Sequence, residues 1–351
     1  MTVKPLYGHQ EGAELGYNPH KPGRPSHTLH TYMIANLRLV LEVEVQAGNQ
    51  SHSNDSLPGL VSLLSRLPVN GKPEFVRGDI GWGTDKAMRE MEAINQAYLF
   101  KLKKSKNVKK LIYKHHCLGE WDYINKEWEA KEDVLQLQGW EKSRRVVVVR
   151  RRLSSDNMIG IEYEKEGQQS LAFIDGPEDL KAYEYSVLVT DLDHDLVTVF
   201  YHYRDRADCE NNFDEMKNQW GWGGYTTHNI KSCQLMTRMI ALVYNWWNLY
   251  VRLAIPEKHH EAITSRPLLL SSVGRYTEHG RQRKMVITSA HGETEKLKAI
   301  YVRLICFFNE LKANAPQLNF TECWSRILAK SMEKYKVKVG TGNPIGIPAP
   351  A

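Results

Sequence analysis

Between Leu37 and Gln46 apolar and polar positions alternate: Leu37, Leu39, Leu41, Val43 and Val45 are set among Arg38, Glu42, Glu44 and Gln46. A period of two predicts a strand, or a pair of strands, with one wet face. The Gly- and Pro-rich stretch before it, Gly8 to Pro25, reads as an ordered loop feeding a sheet. Downstream, the pattern predicts a short helix over Pro58–Leu67 and a short strand over Glu74–Asp79 ending in a Gly-Asp turn. It then predicts a helix over Thr84–Gln96 with Thr84 as N-cap, and a strand over Tyr98–Leu102. Strand, helix, strand, helix, strand is the order of an α/β domain.

From about Lys103 to Phe200 the pattern changes to short β-prone runs: Val146–Arg152, Ile159–Glu164, Leu171–Ile174, Tyr185–Asp191 and Val197–Tyr203. Turn residues separate them, which predicts a mostly antiparallel insertion. From Arg204 the periodicity is chiefly helical, over about Arg204–Gln219, Lys231–Ile255, Glu293–Ala313 and Thr321–Lys334, with a strand at Lys284–Ser289. The Gly/Pro-rich end, Val339–Ala351, reads as a disordered tail.

Composition narrows the class. With 351 residues, 42% hydrophobic and 25% charged, the chain suits one large or two modest globular domains rather than a disordered or fibrous protein. A net charge of +6 permits an anionic partner. The five cysteines (117, 209, 233, 306 and 323) are scattered with no Cys-x-x-Cys pair, which points to a reducing, cytoplasmic setting. The most apolar stretch, Leu235–Ile255, carries Arg238, Asn245, Asn248 and Arg252, and so reads as a buried amphipathic helix rather than a membrane span.

The stretch with most chemistry is YHYRDRADCENNFDEMKNQWGWGG, Tyr201–Gly224. It contains Tyr203-x2-Arg206-x3-Glu210-x6-Lys217. On one continuous helix, at about 100° per residue, the four side chains fall within roughly 60° of each other. One carboxylate flanked by two cations and a phenol suits a divalent cation beside a phosphate backbone. A solvated helix with i,i+4 and i,i+7 charge pairs accounts for the same residues without any ligand.

This spacing resembles the Y-x2-R-x3-E-x6-K signature of DDE transposases from bacterial insertion sequences, the cut-and-paste group. GHQEGAELGYNPHKPGRPSH (Gly8–His27) looks like the loop after that family's first catalytic strand. FVRGDIGW (Phe75–Trp82) looks like the strand carrying its second acid, and YNWWNLYVRLA (Tyr244–Ala254) like a family helix. The resemblance implies a ribonuclease-H-like core, residues 1–103 and 201–335, interrupted by a β-rich insertion at 104–200. A helical C-terminal part and a disordered tail, 336–351, complete it. It implies Asp79 and Glu210 as catalytic, metal-holding carboxylates for Mg²⁺ (or Mn²⁺), and Tyr203, Arg206 and Lys217 as DNA-phosphate contacts. The implied partners are DNA (terminal inverted repeats and target) and a second copy of the chain in a synaptic dimer, with no membrane.

The family's first Asp would fall at or before Met1, and no Asp precedes Asp55. The expectation is therefore an N-terminally truncated copy that binds DNA weakly and does not cut it. Two other readings stand beside transposition: an inactive remnant that binds only DNA or a full-length transposase, and an unrelated ribonuclease-H-like nuclease. Two basic runs add candidate DNA contacts. They are Lys101, Lys103, Lys104, Lys106, Lys109 and Lys110, and the group Lys142, Arg144, Arg145, Arg150, Arg151 and Arg152 around Val146–Val149. Solvated surface and protection of an edge strand explain both runs equally. His115-His116-Cys117 lacks a second ligand pair at zinc spacing. Trp220 and Trp222 read as core residues before base-stacking ones, and Trp246 and Trp247 as helix packing.

Overall fold

The computed structural model describes residues 1–19, 21–153, 182–225, 227–270, 274–287 and 293–334. Three strands open the chain: β1 (Thr2–Pro5), β2 (Ser26–Ile34) and β3 (Leu39–Ala47). Helix α1 (Leu57–Arg66), strand β4 (Phe75–Gly78), helix α2 (Asp85–Ala93) and strand β5 (Ala97–Lys101) follow. Next come α3 (Lys106–Leu118), β6 (Asp122–Tyr123), β7 (Trp128–Leu135), β8 (Arg144–Arg152) and β9 (Tyr183–Thr190). The C-terminal part is chiefly helical, with α4 (Leu196–Arg204), α5 (Ala207–Gln219), α6 (Ile230–Ala254) and α7 (Ala262–Leu270). A hairpin of β10 (Gly274–His279) and β11 (Gln282–Ile287) precedes α8 (Thr294–Asn314) and α9 (Phe320–Ser331). The fold is α/β with a mixed sheet and a helical C-terminal part, compatible with the ribonuclease-H-like class.

The chain forms two compact units, one spanning 49–207 with Met1, the other joining 2–48 to the chain from 208 onward. In the first, six strands make a sheet in the order β4-β5-β9-β8-β7-β6. The β4–β5 pair is parallel, and α2 supplies the crossover that a parallel pair requires. The remaining pairs are antiparallel. Val146 to Val149 are all buried because β8 lies between β7 and β9 with both faces covered, so a continuous valine run replaces alternation. Strand β8 is thus no edge, and the arginines around the valines do not protect one. Thr84 caps α2 through its hydroxyl, accepting the Ala87 N–H at 3.3 Å, and Ala87, Met88 and Met91 turn inward.

In the second unit β1, β2 and β3 form an antiparallel meander, with the register irregular at Tyr32/Met33. Helix α6 packs on β3, and its polar residues complete that strand's backbone. The Asn245 carboxamide accepts the Val40 N–H at 2.9 Å and donates to the Val40 carbonyl at 2.7 Å. Gln234 does the same at the other end, accepting the Val45 N–H at 2.6 Å and donating to the Val43 carbonyl. The spacing matches: eleven helical residues rise about 16 Å, as do five strand residues. A helix that covers an unpaired strand edge in this way removes a site of aggregation.

The structure corrects several sequence-based expectations. Val197–Tyr203, expected as a strand, is α4. Asp195 caps it, accepting the Thr198 N–H at 3.0 Å, and burial of Val199 and Phe200 overrides the β-preference of its branched and aromatic residues. Helix α3 stands where only short β-runs were expected. Strand β2 begins at Ser26, where the Pro-rich loop ends. Trp246, expected to pack, is 51% exposed. The expected strands Ile159–Glu164 and Leu171–Ile174, and the tail Val339–Ala351, lie outside the described residues.

Candidate functional site

Asp79 is the first residue beyond the C-terminal end of β4, the position at which open α/β sheets present ligands. Its loop is tightly wound. Asp79 Oδ1 accepts the Gly81 N–H at 3.0 Å, and the Trp82 N–H donates to the Asp79 carbonyl at 3.0 Å. Gly78 and Gly83 are required by close approach: a Cβ on Gly78 would lie 2.6 Å from the Trp82 Cβ, and one on Gly83 2.3 Å from the Lys101 carbonyl oxygen.

The same unit brings Tyr203 and Arg206 to Asp79. The Tyr203 ring packs against the cluster of Leu99, Trp128, Val199 and Phe200. Burial pushes the Tyr203 phenol up to about 12, the Arg206 guanidinium opposes that, and the Asp79 charge adds to it. The phenol therefore stays protonated, a hydrogen-bond donor, throughout the neutral range. Its hydroxyl is buried, and the Arg206 side chain is the donor beside it. The Arg206 guanidinium carbon sits 5.9 Å from the ring centre. Arg77, on β4 two residues before Asp79, also lowers the Tyr203 pKa and donates from Nη1 to the His202 carbonyl. Sequence reasoning passed over Arg77.

The four-residue signature does not lie on one unbroken helix. Tyr203 is near the end of α4, whose last carbonyls are taken by the cap, Asp205. Arg206 follows in a turn, its N–H bonding back three residues to the Tyr203 carbonyl at 3.1 Å instead of four. Aspartate is a weak helix-interior residue, which favours the break at this point. The single 60° stripe over all four positions is therefore corrected.

Glu210 and Lys217 lie on α5, in the other unit. They are two turns apart and about 20° from each other around the helix axis. Glu210 is exposed, whereas Asn212, Glu215 and Met216 form the buried face. Lys217 is half-buried, which lowers its pKa, while Asp214 raises it.

Buried Glu215 fixes α5 in place. Its carboxylate accepts the Ala262 N–H at 3.1 Å, Trp220 Nε1–H at 3.3 Å and His259 Nε2–H at 3.3 Å. Burial would raise its pKa, but these donors outweigh it and the net shift is downward. One turn on, Gln219 accepts the Ile263 N–H at 2.7 Å, and its carbonyl accepts from Arg266 at 2.8 Å. The C-terminal half of α5 is thereby tied to the first turn of α7. Trp222 is buried and donates to the Thr237 carbonyl at 3.3 Å, and Trp220 packs under Arg266, so both serve the core.

Other sequence candidates are committed elsewhere. His115 meets Asp133 at 2.7 Å and His116 meets the Tyr185 hydroxyl at 2.9 Å. Four of the five β8 arginines are paired: Arg144 with Asp85 and Glu92, Arg145 with Glu132, Arg150 with Glu129, and Arg151 with Glu184.

Among the described residues no group of three or more His, Cys, Asp or Glu side chains forms a metal cage. Asp79 and Glu210 are hard oxygen donors. Each carboxylate taken singly is of the kind that a divalent cation accepts beside water and phosphate oxygens. No helix among the described residues is long and apolar enough to cross a membrane.

No curated protein matches the chain. The family described as transposase DDE domain, group 1, matches residues 1–306. That match spans most of the sequence, including every residue of the site just described, and the chain belongs to the DDE transposase family.

Proposed function

We propose that the chain acts on transposon-end DNA as a metal-dependent transposase, with Asp79 and Glu210 as its carboxylates. The observation that carries this reading is the grouping of Asp79, Tyr203 and Arg206 at the end of β4. A buried phenol that stays protonated, beside a guanidinium and close to the Asp79 carboxylate, presents donors of the kind that phosphate oxygens accept.

Divalent ions held by Asp79 and Glu210 would activate water or a 3′-hydroxyl and stabilise the leaving oxygen. Arg206 and Lys217 hold phosphates of the DNA end by charge, and Tyr203 donates to a phosphate oxygen. Glu215 keeps α5, and with it Glu210 and Lys217, in a fixed orientation. Two copies of the chain would bring a pair of ends together.

The test is strand cleavage on a duplex bearing matched terminal inverted repeats, with Mg²⁺ or Mn²⁺. Asp79→Asn and Glu210→Gln each keep side-chain size and remove the charge, so cutting falls sharply while end binding survives. Cutting that neither substitution affects overturns the assignment. End DNA bound by the native chain but left uncut supports the remnant reading instead.

A further inference from the structure

The cations of the insertion fall into two classes. On β8, Arg144, Arg145, Arg150 and Arg151 face carboxylates. Around the start of α3, among the described residues, no ion pair within 4 Å is formed by Lys103, Lys104, Lys109 or Lys110. Helix α3 is cleanly two-sided. Val108, Leu111, Ile112 and His115 are buried, and Lys106, Lys109, Lys110 and Tyr113 stand exposed on the opposite face.

The placement of this charge opposes the helix. Lys103, Lys104 and Lys106 crowd the N-terminal end of α3, where the helix dipole is already positive. No acidic residue occupies its first turn, and Ser105 makes no side-chain cap. Lys104 is close enough to Lys101 and Lys109 that, after burial, their charges lower its pKa further, against the pull of Glu184. Like charges gathered at the positive end of a helix are unfavourable in the free protein and become favourable beside a polyanion. The lysines run along little more than one turn of α3 and the residues just before it, an exposed row that suits consecutive phosphates of a backbone.

We propose that the lysine face of α3, with Lys103 and Lys104 at its start, is a docking surface for the phosphate backbone of double-stranded DNA, and that the β8 arginines are not. The proposal rests on the DNA-acting function above and assigns it a second contact, away from Asp79. Such contacts set affinity and position but carry no sequence preference.

The test is fluorescence anisotropy of the full chain with a duplex of arbitrary sequence over a salt series. Lys109→Gln/Lys110→Gln should weaken binding to every sequence alike and lower the slope of log K against log salt by about two. Arg145→Gln/Arg151→Gln removes the same charge from β8 and should leave the slope unchanged. Near-native binding and slope for the lysine pair overturns the proposal, as does an equal loss for the arginine pair, which would mean that net charge alone matters. In either case Asp79→Asn, read by cleavage, still reports separately on the transposase reading. Absence of DNA binding by the native chain overturns both.

Discussion

Glu215 accepts the backbone N–H of Ala262 at 3.1 Å, so a buried carboxylate on α5 caps the first turn of α7. With His259 and the Trp220 indole on the same oxygens, one side chain satisfies three donors. Glu215→Ala leaves all three without an acceptor and should cost about 3 kcal/mol in denaturant unfolding. The pH dependence follows from the lowered pKa. The Glu215 contribution is fully present above the ordinary carboxylate value and is lost as pH falls through the lower folded value. The difference between native and variant should therefore shrink in acid, and a constant difference would place the interaction elsewhere.

Much of this framework was legible in the sequence, and the exceptions have physical causes. Thr84 announced α2 because a hydroxyl before an apolar period is a local signal. Asp79 was legible because Gly-Asp after a short apolar run marks a strand end. Helix α4 was not, because Val197, Thr198, Val199, Phe200 and Tyr201 favour strand and only the Asp195 cap argued otherwise. The lysines that open α3 obscured a helix whose buried stripe begins only at Val108. Asn245 and Gln234 looked like interruptions of an apolar helix, and their role in completing β3 depends on long-range pairing that periodicity does not carry. The spacing of Tyr203, Arg206, Glu210 and Lys217 predicts a single helical stripe, yet the turn at Asp205–Arg206 is set by capping and not by helical period.

Tyr203 separates stability from binding. Its hydroxyl is buried beside the Arg206 guanidinium, so Tyr203→Phe keeps the packed ring and removes only a weak polar contact. Thermal stability should stay within about 0.5 kcal/mol of native or rise slightly. Affinity for end DNA should fall, because the donor to phosphate is gone. Because burial holds the phenol near 12, native binding should show no step from this group between neutral pH and mildly alkaline pH. A destabilised Tyr203→Phe protein with unchanged DNA affinity would make the hydroxyl structural.

Gly78 tests how tightly the Asp79 loop is held. An added Cβ would meet the Trp82 side chain at 2.6 to 2.8 Å, so the indole must move. Trp82 packs toward Phe100, with ring centres 6.4 Å apart, and its N–H bonds to the Asp79 carbonyl. Gly78→Ala should cost about 1–3 kcal/mol as an overpacking substitution and shift Trp82 fluorescence. Cleavage should fall by more than the stability loss explains, since the turn that aims Asp79 is displaced. Full activity with an altered indole signal would show that Asp79 is placed independently of Trp82.

Arg144 offers the strictest test of the first unit. It is 4% exposed, and its guanidinium bonds Asp85 at 2.7 Å through Nη1 and Glu92 at 2.8 Å through Nε. The Tyr98 hydroxyl donates to the same Glu92 at 3.0 Å. Both carboxylates are on α2, which starts just after the Asp79 loop, so the network anchors that helix to β8. Arg144→Met leaves Asp85 without its guanidinium and Glu92 with only the exposed Lys142 as its cation, and should cost about 3 kcal/mol. Arg144→Lys keeps the charge but not the fork that reaches both partners, so it should fall between native and Met. Burial alone would raise the Glu92 pKa, but hydrogen bonds from Arg144, Lys142 and Tyr98 outweigh it and hold it low. The depressed value means that the Glu92 pairing stabilises the fold above the ordinary carboxylate pKa and ceases to do so as pH falls through the folded one. Urea titrations at pH 7 and near pH 3 should therefore give a large native-to-Met difference at the first and a small one at the second. An equal difference at both would show that Arg144 acts through packing of its stem against Trp140, whose ring centre lies 5.2 Å from its guanidinium carbon, and not through charge.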